Sequence, residues 1–92
     1  MIGAHVALLD YVSPSSQGTT WGLGGTCVNV GCIPKKLFHL TAQYCDNEQD
    51  ALQVGFAESH RRPDWDTMVT NISNYIRSLN FKYRGSLMDE DV

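Results

Sequence analysis

Gly24-Gly25-Thr26-Cys27-Val28-Asn29-Val30-Gly31-Cys32-Ile33-Pro34-Lys35-Lys36 is the stretch from which the rest of the chain is read. It sets two cysteines with four residues between them, opens on a glycine pair and closes on a proline and two lysines. A disulfide between Cys27 and Cys32 would close a loop of only six residues. Closing so short a loop removes little entropy from the unfolded chain, so the bridge would be a poor staple. It suits a bond that opens and closes, because the two sulfurs stay together when reduced.

The surroundings point the same way. Pro34 fits the first turn of a helix, where a missing backbone N–H costs nothing. Cys32 would then stand at a helix N-terminus, where N–H groups and the macrodipole favour an ionised sulfur. Lys35 and Lys36 add positive charge nearby. The glycines at 22, 24, 25 and 31 allow close backbone approach to a ligand. Thr26 and Asn29 offer polar groups to a cofactor or a turn. The expectation is a redox-active dithiol at an anion-friendly helix entrance.

This run resembles the active-site signature of the pyridine nucleotide–disulfide oxidoreductases, which include glutathione reductase, lipoamide dehydrogenase and thioredoxin reductase. The preceding Gly18-Thr19-Thr20-Trp21-Gly22-Leu23 brings the resemblance nearer to the large animal-type thioredoxin reductases and the thioredoxin–glutathione reductases. A looser likeness runs from about Ala4 to the end, through Asp64-Trp65-Asp66-Thr67-Met68 and Ser78-Leu79-Asn80-Phe81-Lys82-Tyr83-Arg84.

The resemblance implies an FAD-dependent NADPH:disulfide oxidoreductase, homodimeric when intact and serving cell redox homeostasis. Electrons would pass from NADPH through FAD to Cys27–Cys32, and on to thioredoxin or a small disulfide substrate. Cys32 would be the sulfur facing the flavin, as the charge-transfer thiolate. Cys27 would be the interchange thiol that attacks the next disulfide. Lys35 would approach the reactive edge of the flavin, with Lys36 open to the same role. Gly25, Thr26 and Gly31 would line the cofactor beside the two cysteines. Tyr83 falls where similar enzymes have a tyrosine near the disulfide, and reads equally as a packed surface residue.

The 92 residues allow one small domain at most. Hydrophobic residues make up 42% and charged residues 18%, with a net charge of −3 and no basic run, so nucleic acid is not an expected partner. No stretch reaches the ~20 apolar residues that span a bilayer, so no membrane is expected. The start, Met1-Ile2-Gly3-Ala4-His5, lacks the charged-then-apolar pattern of a signal peptide. Three cysteines leave Cys45 unpaired, which leans toward a reducing compartment. The expectation is cytoplasmic, with the mitochondrion kept open because a transit peptide would precede Met1.

Upstream, the apolar run from His5 to Val12 reads as a strand buried on both faces, as in a parallel sheet. Asp10, with Tyr11 beside it, falls at its carboxyl end, where a dinucleotide fold binds ribose hydroxyls. Asp10 is therefore a candidate cofactor ligand, the alternative being an acid that ends the strand and faces water. The Gly-x-Gly-x-x-Gly fingerprint that should precede it by about 20 residues is not in the sequence. Val12 to Gly25 is loop chemistry, and Trp21 within it covers either a cofactor or the core.

Downstream, Leu37, Leu40 and Tyr44 predict a helix from about Gly31 to Leu52, with Cys45 on its apolar stripe. Gly55, His60, Arg61, Arg62 and Pro63 mark a connector. Asp64 is a candidate N-cap for a second helix, whose stripe runs Trp65, Met68, Val69, Ile72, Tyr75, Ile76, Leu79. That stripe reads as core packing or as a subunit contact. Asn80 to Val92 carries a possible strand start at Ser86-Leu87-Met88.

The fold class expected is α/β. Residues 1–92 would form an incomplete FAD-binding, Rossmann-like dinucleotide domain, with one parallel-type strand and two helices. It would lack the first strand and its glycine fingerprint. A buried strand without neighbours implies a fragment of a larger flavoprotein, whose nicotinamide-binding and interface domains have no counterpart here. Two other functions compete. Cys27, Cys32, His39 and Cys45 form a possible zinc set, opposed by the two helical turns separating Cys32 from His39. A non-catalytic chain could instead pair with the full-length subunit through the Trp65–Leu79 stripe.

Overall fold

The computed structural model describes residues 3–57 and 62–92; Met1, Ile2 and the connector's His60 and Arg61 lie outside them. Among the described residues the regular structure is three helices: α1 (Gly25–Asn29), α2 (Cys32–Gln53) and α3 (Trp65–Asp89).

Both long helices have identifiable ends. At the start of α2 the Lys35 amide donates to the Gly31 carbonyl at 3.0 Å. Past its end Gly55 takes a left-handed φ of 97°. The Gly55 amide then bonds Leu52 O and the Phe56 amide bonds Ala51 O, which together make a Schellman closure. Asp64 caps α3: its Oδ1 accepts from the amides of Asp66 at 3.1 Å and Thr67 at 3.4 Å. The Thr67 hydroxyl donates to Asp64 Oδ2 at 2.6 Å.

The α/β expectation is overturned. No strand is present among the described residues, and the run from His5 to Val12 has no regular structure. Leu9 is 95% exposed and Val6 59%. The physical reason is pairing: a strand satisfies its N–H and C=O groups on a neighbour, and among the described residues there is none. An apolar run signals a wish for burial without naming the partner. The possible strand at Ser86–Met88 is also overturned, because α3 runs through it. Tyr83 and Leu87 extend the α3 stripe past Leu79 at steps of four, which is helical spacing.

Packing is thin. Only Val28 on α1 and Ile72 on α3 are buried hydrophobics among the described residues. Phe38 of α2 stacks on Trp65 of α3 with centroids 5.8 Å apart, which ties the two long helices near the α3 start. The radius of gyration is 19.1 Å, against about 12 Å for a compact chain of this length. Among the described residues, no helix is long and apolar enough to cross a membrane.

Candidate active site

Cys27 lies inside α1 and Cys32 is the first residue of α2, and both are exposed free thiols. Gly31 between them explains how two helices meet so abruptly. A Cβ there would stand 2.8 Å from the Thr26 carbonyl oxygen and 3.1 Å from the Cys27 Cα. The chain doubles back on the Cys27 backbone, and only glycine leaves room for it. The Val30 amide closes α1 on Thr26 O at 3.0 Å.

The two thiols interact directly. The Cys27 thiol is pushed up from its ordinary pKa, chiefly by its hydrogen bond with the Cys32 side chain, with smaller contributions from desolvation and the Cys32 charge. A backbone hydrogen bond at Cys32 and the positive charge of Lys35 oppose the shift.

The α1 segment is held by two amides. Asn29 donates from Nδ2 to the carbonyls of Gly22 at 2.9 Å and Gly25 at 2.8 Å. Its Oδ1 accepts from the Gly22 amide at 3.0 Å and from Asn80 Nδ2 at 3.1 Å. Asn80, on α3, also donates to Leu23 O at 2.6 Å. Gly22 has no room for a side chain, since a Cβ would overlap the Asn80 side chain. Sequence reasoning offered Asn29 as a polar group for a turn, and missed Asn80. The available signal was its place in the Ser78–Arg84 run, between apolar residues of the α3 stripe.

The other candidates fall into two groups. Asp10 Oδ2 accepts from the Gly24 amide at 3.4 Å, which brings the acid to the glycine pair beside the dithiol. Asp10 and Tyr11 line a groove of about 390 Å³ together with Thr20, Trp21 and Leu23. Gly25 and Thr26 open α1, and Gly31 precedes α2. Lys35 and Lys36 are exposed on the first turns of α2, and Lys35 is the lysine whose charge reaches Cys27. The Tyr83 ring lies over Gly24, where a Cβ would meet its Cε2 at 3.2 Å. The zinc set is not assembled: among the described residues no three of His, Cys, Asp and Glu group to hold a metal. Cys45 sits half-buried along α2, apart from the dithiol.

Over 98% of its length the chain is 52% identical to a thioredoxin reductase of Emiliania huxleyi, of which it covers 18%. It is 48% identical to a thioredoxin reductase of Plasmodium falciparum, covering 17% of that protein. It is 45% identical to a mitochondrial thioredoxin reductase 2 of Drosophila melanogaster, covering 18%. No family model matches the chain. These relatives are thioredoxin reductases, consistent with the resemblance to the pyridine nucleotide–disulfide oxidoreductases, and the chain spans less than a fifth of their length.

Proposed function

We propose that this chain is the dithiol-bearing segment of an FAD-dependent NADPH:disulfide oxidoreductase whose acceptor is thioredoxin, with glutathione as the alternative acceptor. The observation that carries the proposal is the pair of exposed free thiols, Cys27 in α1 and Cys32 at the start of α2, brought round on each other by the tight turn at Gly31, with Lys35 on the first turn of α2. The thin packing, with many large hydrophobics exposed, and the small share of each relative that is matched support a working unit larger than 92 residues. Homodimerisation, and residence in the cytoplasm or mitochondrion, belong to the same proposal.

The chemistry balances within the two sulfurs. The Cys27 thiolate attacks one sulfur of the substrate disulfide; that S–S bond breaks and the departing sulfur takes a proton. The Cys32 thiolate then attacks the Cys27 sulfur of the mixed disulfide. The second substrate sulfur leaves and is protonated, and Cys27–Cys32 remains as a disulfide. Two electrons and two protons have reached the substrate. The donor set suits a flavin beside the pair: exposed sulfurs, a bare Gly25 with nothing within 4 Å of its Cβ position, Lys35 on the adjacent turn, and Asp10 drawn to Gly24. Lys35 would face its reactive edge, and Asp10 with Tyr11 its ribose end. When bound, FAD would relay the two electrons from NADPH to the oxidised pair.

Trapping tests the assignment. The reduced full chain carrying Cys32→Ser is mixed with oxidised thioredoxin and analysed by mass spectrometry after peptide digestion. A stable mixed disulfide on Cys27, absent with Cys27→Ser, is expected. A mixed disulfide on Cys45, or none, overturns the proposal.

A further inference from the structure

We infer that Asn80 is a positioning residue for the dithiol: acting through Asn29, it holds α1 at the orientation that keeps the Cys27 sulfur against Cys32. The inference rests on the disulfide-reductase reading of that pair. α1 cannot hold its own orientation. It has five residues, no side-chain cap and one buried side chain. A helix that short barely offsets its own nucleation cost. α2, with 22 residues, needs no such help.

What α1 does have is Asn29, whose side chain makes four hydrogen bonds. Three of these stay within the local chain, on Gly22 and Gly25. The fourth comes from Asn80, 51 residues further on and rooted in the longest helix. The second Asn80 N–H goes to Leu23 O, the residue before the glycine pair. Asn80 therefore bridges α3 to both ends of the segment that carries Cys27. Gly22 admits this approach because it has no Cβ to block it. Asn29 stands two residues after Cys27 and three before Cys32. A rotation of α1 that broke the bridge would carry the Cys27 sulfur away from its partner. The raised Cys27 pKa gives this contact an optical and kinetic handle, since its chief cause is the Cys32 hydrogen bond.

The test equilibrates the full chain in glutathione redox buffers and reads the Cys27–Cys32 disulfide by thiol trapping and mass spectrometry. The rate of Cys27 alkylation is followed against pH in parallel. Asn80→Ala should lower the disulfide equilibrium constant about tenfold, a positive potential shift of about 30 mV for a two-electron couple. It should also speed Cys27 alkylation at neutral pH. Asn80→Asp keeps the size but aims an acceptor at two acceptor oxygens, and should do the same. Asn74→Ala, an exposed change on the same helix, should match wild type. Ile72→Ala controls for general loosening of the fold. Asn80 variants within twofold of wild type in both readouts overturn the inference. So does a shift that Ile72→Ala reproduces together with loss of helical circular dichroism, since Asn80 would then serve the fold alone. If wild type forms no Cys27–Cys32 disulfide in any buffer, the dithiol reading itself fails, whatever Asn80 does.

Discussion

Gly31→Ala puts the site's geometry under the sharpest test. The new methyl would lie 2.8 Å from Thr26 O, where ordinary contact begins at 3.4 Å, so something must give by 0.6 Å. The opposing atoms are backbone, including the Cys27 Cα at 3.1 Å, so no flexible side chain can absorb the shift. The movement passes to Cys27 itself. A misplacement of 1 Å costs a reacting pair up to about 100-fold in rate, which scales to roughly tenfold for the displacement here. The assay mixes the reduced chain with glutathione disulfide and quenches with acid at intervals. Mass spectrometry then separates the glutathione adduct on Cys27 from the closed Cys27–Cys32 disulfide. Adduct formation should be at least as fast as in wild type, because Cys27 remains exposed and loses part of the Cys32 contact that raises its pKa. Ring closure should slow about tenfold and the adduct should accumulate. Closure within twofold of wild type, with no accumulation, would refute the argument that Gly31 sets the distance between the sulfurs.

Three further outcomes follow from the same structure. Cys32→Ala removes the chief cause of the raised Cys27 pKa, so the midpoint of Cys27 alkylation should move to lower pH; an unchanged midpoint would assign the shift elsewhere. The Asp64 carboxyl is held below its ordinary pKa by its hydrogen bonds to Thr67, the side-chain bond first. Its capping contribution is therefore present above the ordinary carboxylate range and lost as pH falls through the depressed value. Far-UV circular dichroism should show that acid-side loss of helix in wild type and a flatter profile in Asp64→Asn. Gly85 lies inside α3 with nothing within 4 Å of its Cβ position; Gly85→Ala should stabilise the helix by about 0.5–1 kcal/mol, read as a raised urea midpoint.

The parts of the site legible in the sequence were those set by local rules. Gly31 to Pro34 announced a helix entrance, and α2 begins at Cys32. Pro63-Asp64 announced a cap, and Asp64 takes that place with α3 starting at Trp65. The stripe from Met68 to Leu79 located α3 but not its end. Ser86-Leu87-Met88 read as a possible strand start, whereas Tyr83 and Leu87 continue the stripe and the helical Gly85 is tolerated. α1 was hidden because its five residues include a glycine and the β-branched Thr26 and Val28, and no cap signal precedes them. The strand at His5–Val12 failed for a different reason. Its apolar run describes what those residues prefer to touch, and strand formation needs a partner, of which there is none among the described residues. Asn80 was illegible because its role depends on a contact 57 residues back in sequence.

The same contact shows why the site depends on its surroundings. With Val28 and Ile72 as the buried hydrophobics among the described residues, α1 is held to α3 mainly by amide hydrogen bonds. Such bonds contribute little net when water competes for the same groups, and more in a dry, low-dielectric setting. The accessible surface is 7934 Å², whereas a compact protein of this mass exposes about 5,400 Å². The excess, about 2,500 Å², falls within the range that obligate interfaces cover. A cover of that size that shut water out of the Asn29–Asn80 contact would strengthen those hydrogen bonds. The bridge would then hold Cys27 more firmly than it does in the open chain. This favours a dithiol that reaches its working geometry inside a larger protein body, as the greater length of the thioredoxin reductase relatives also suggests.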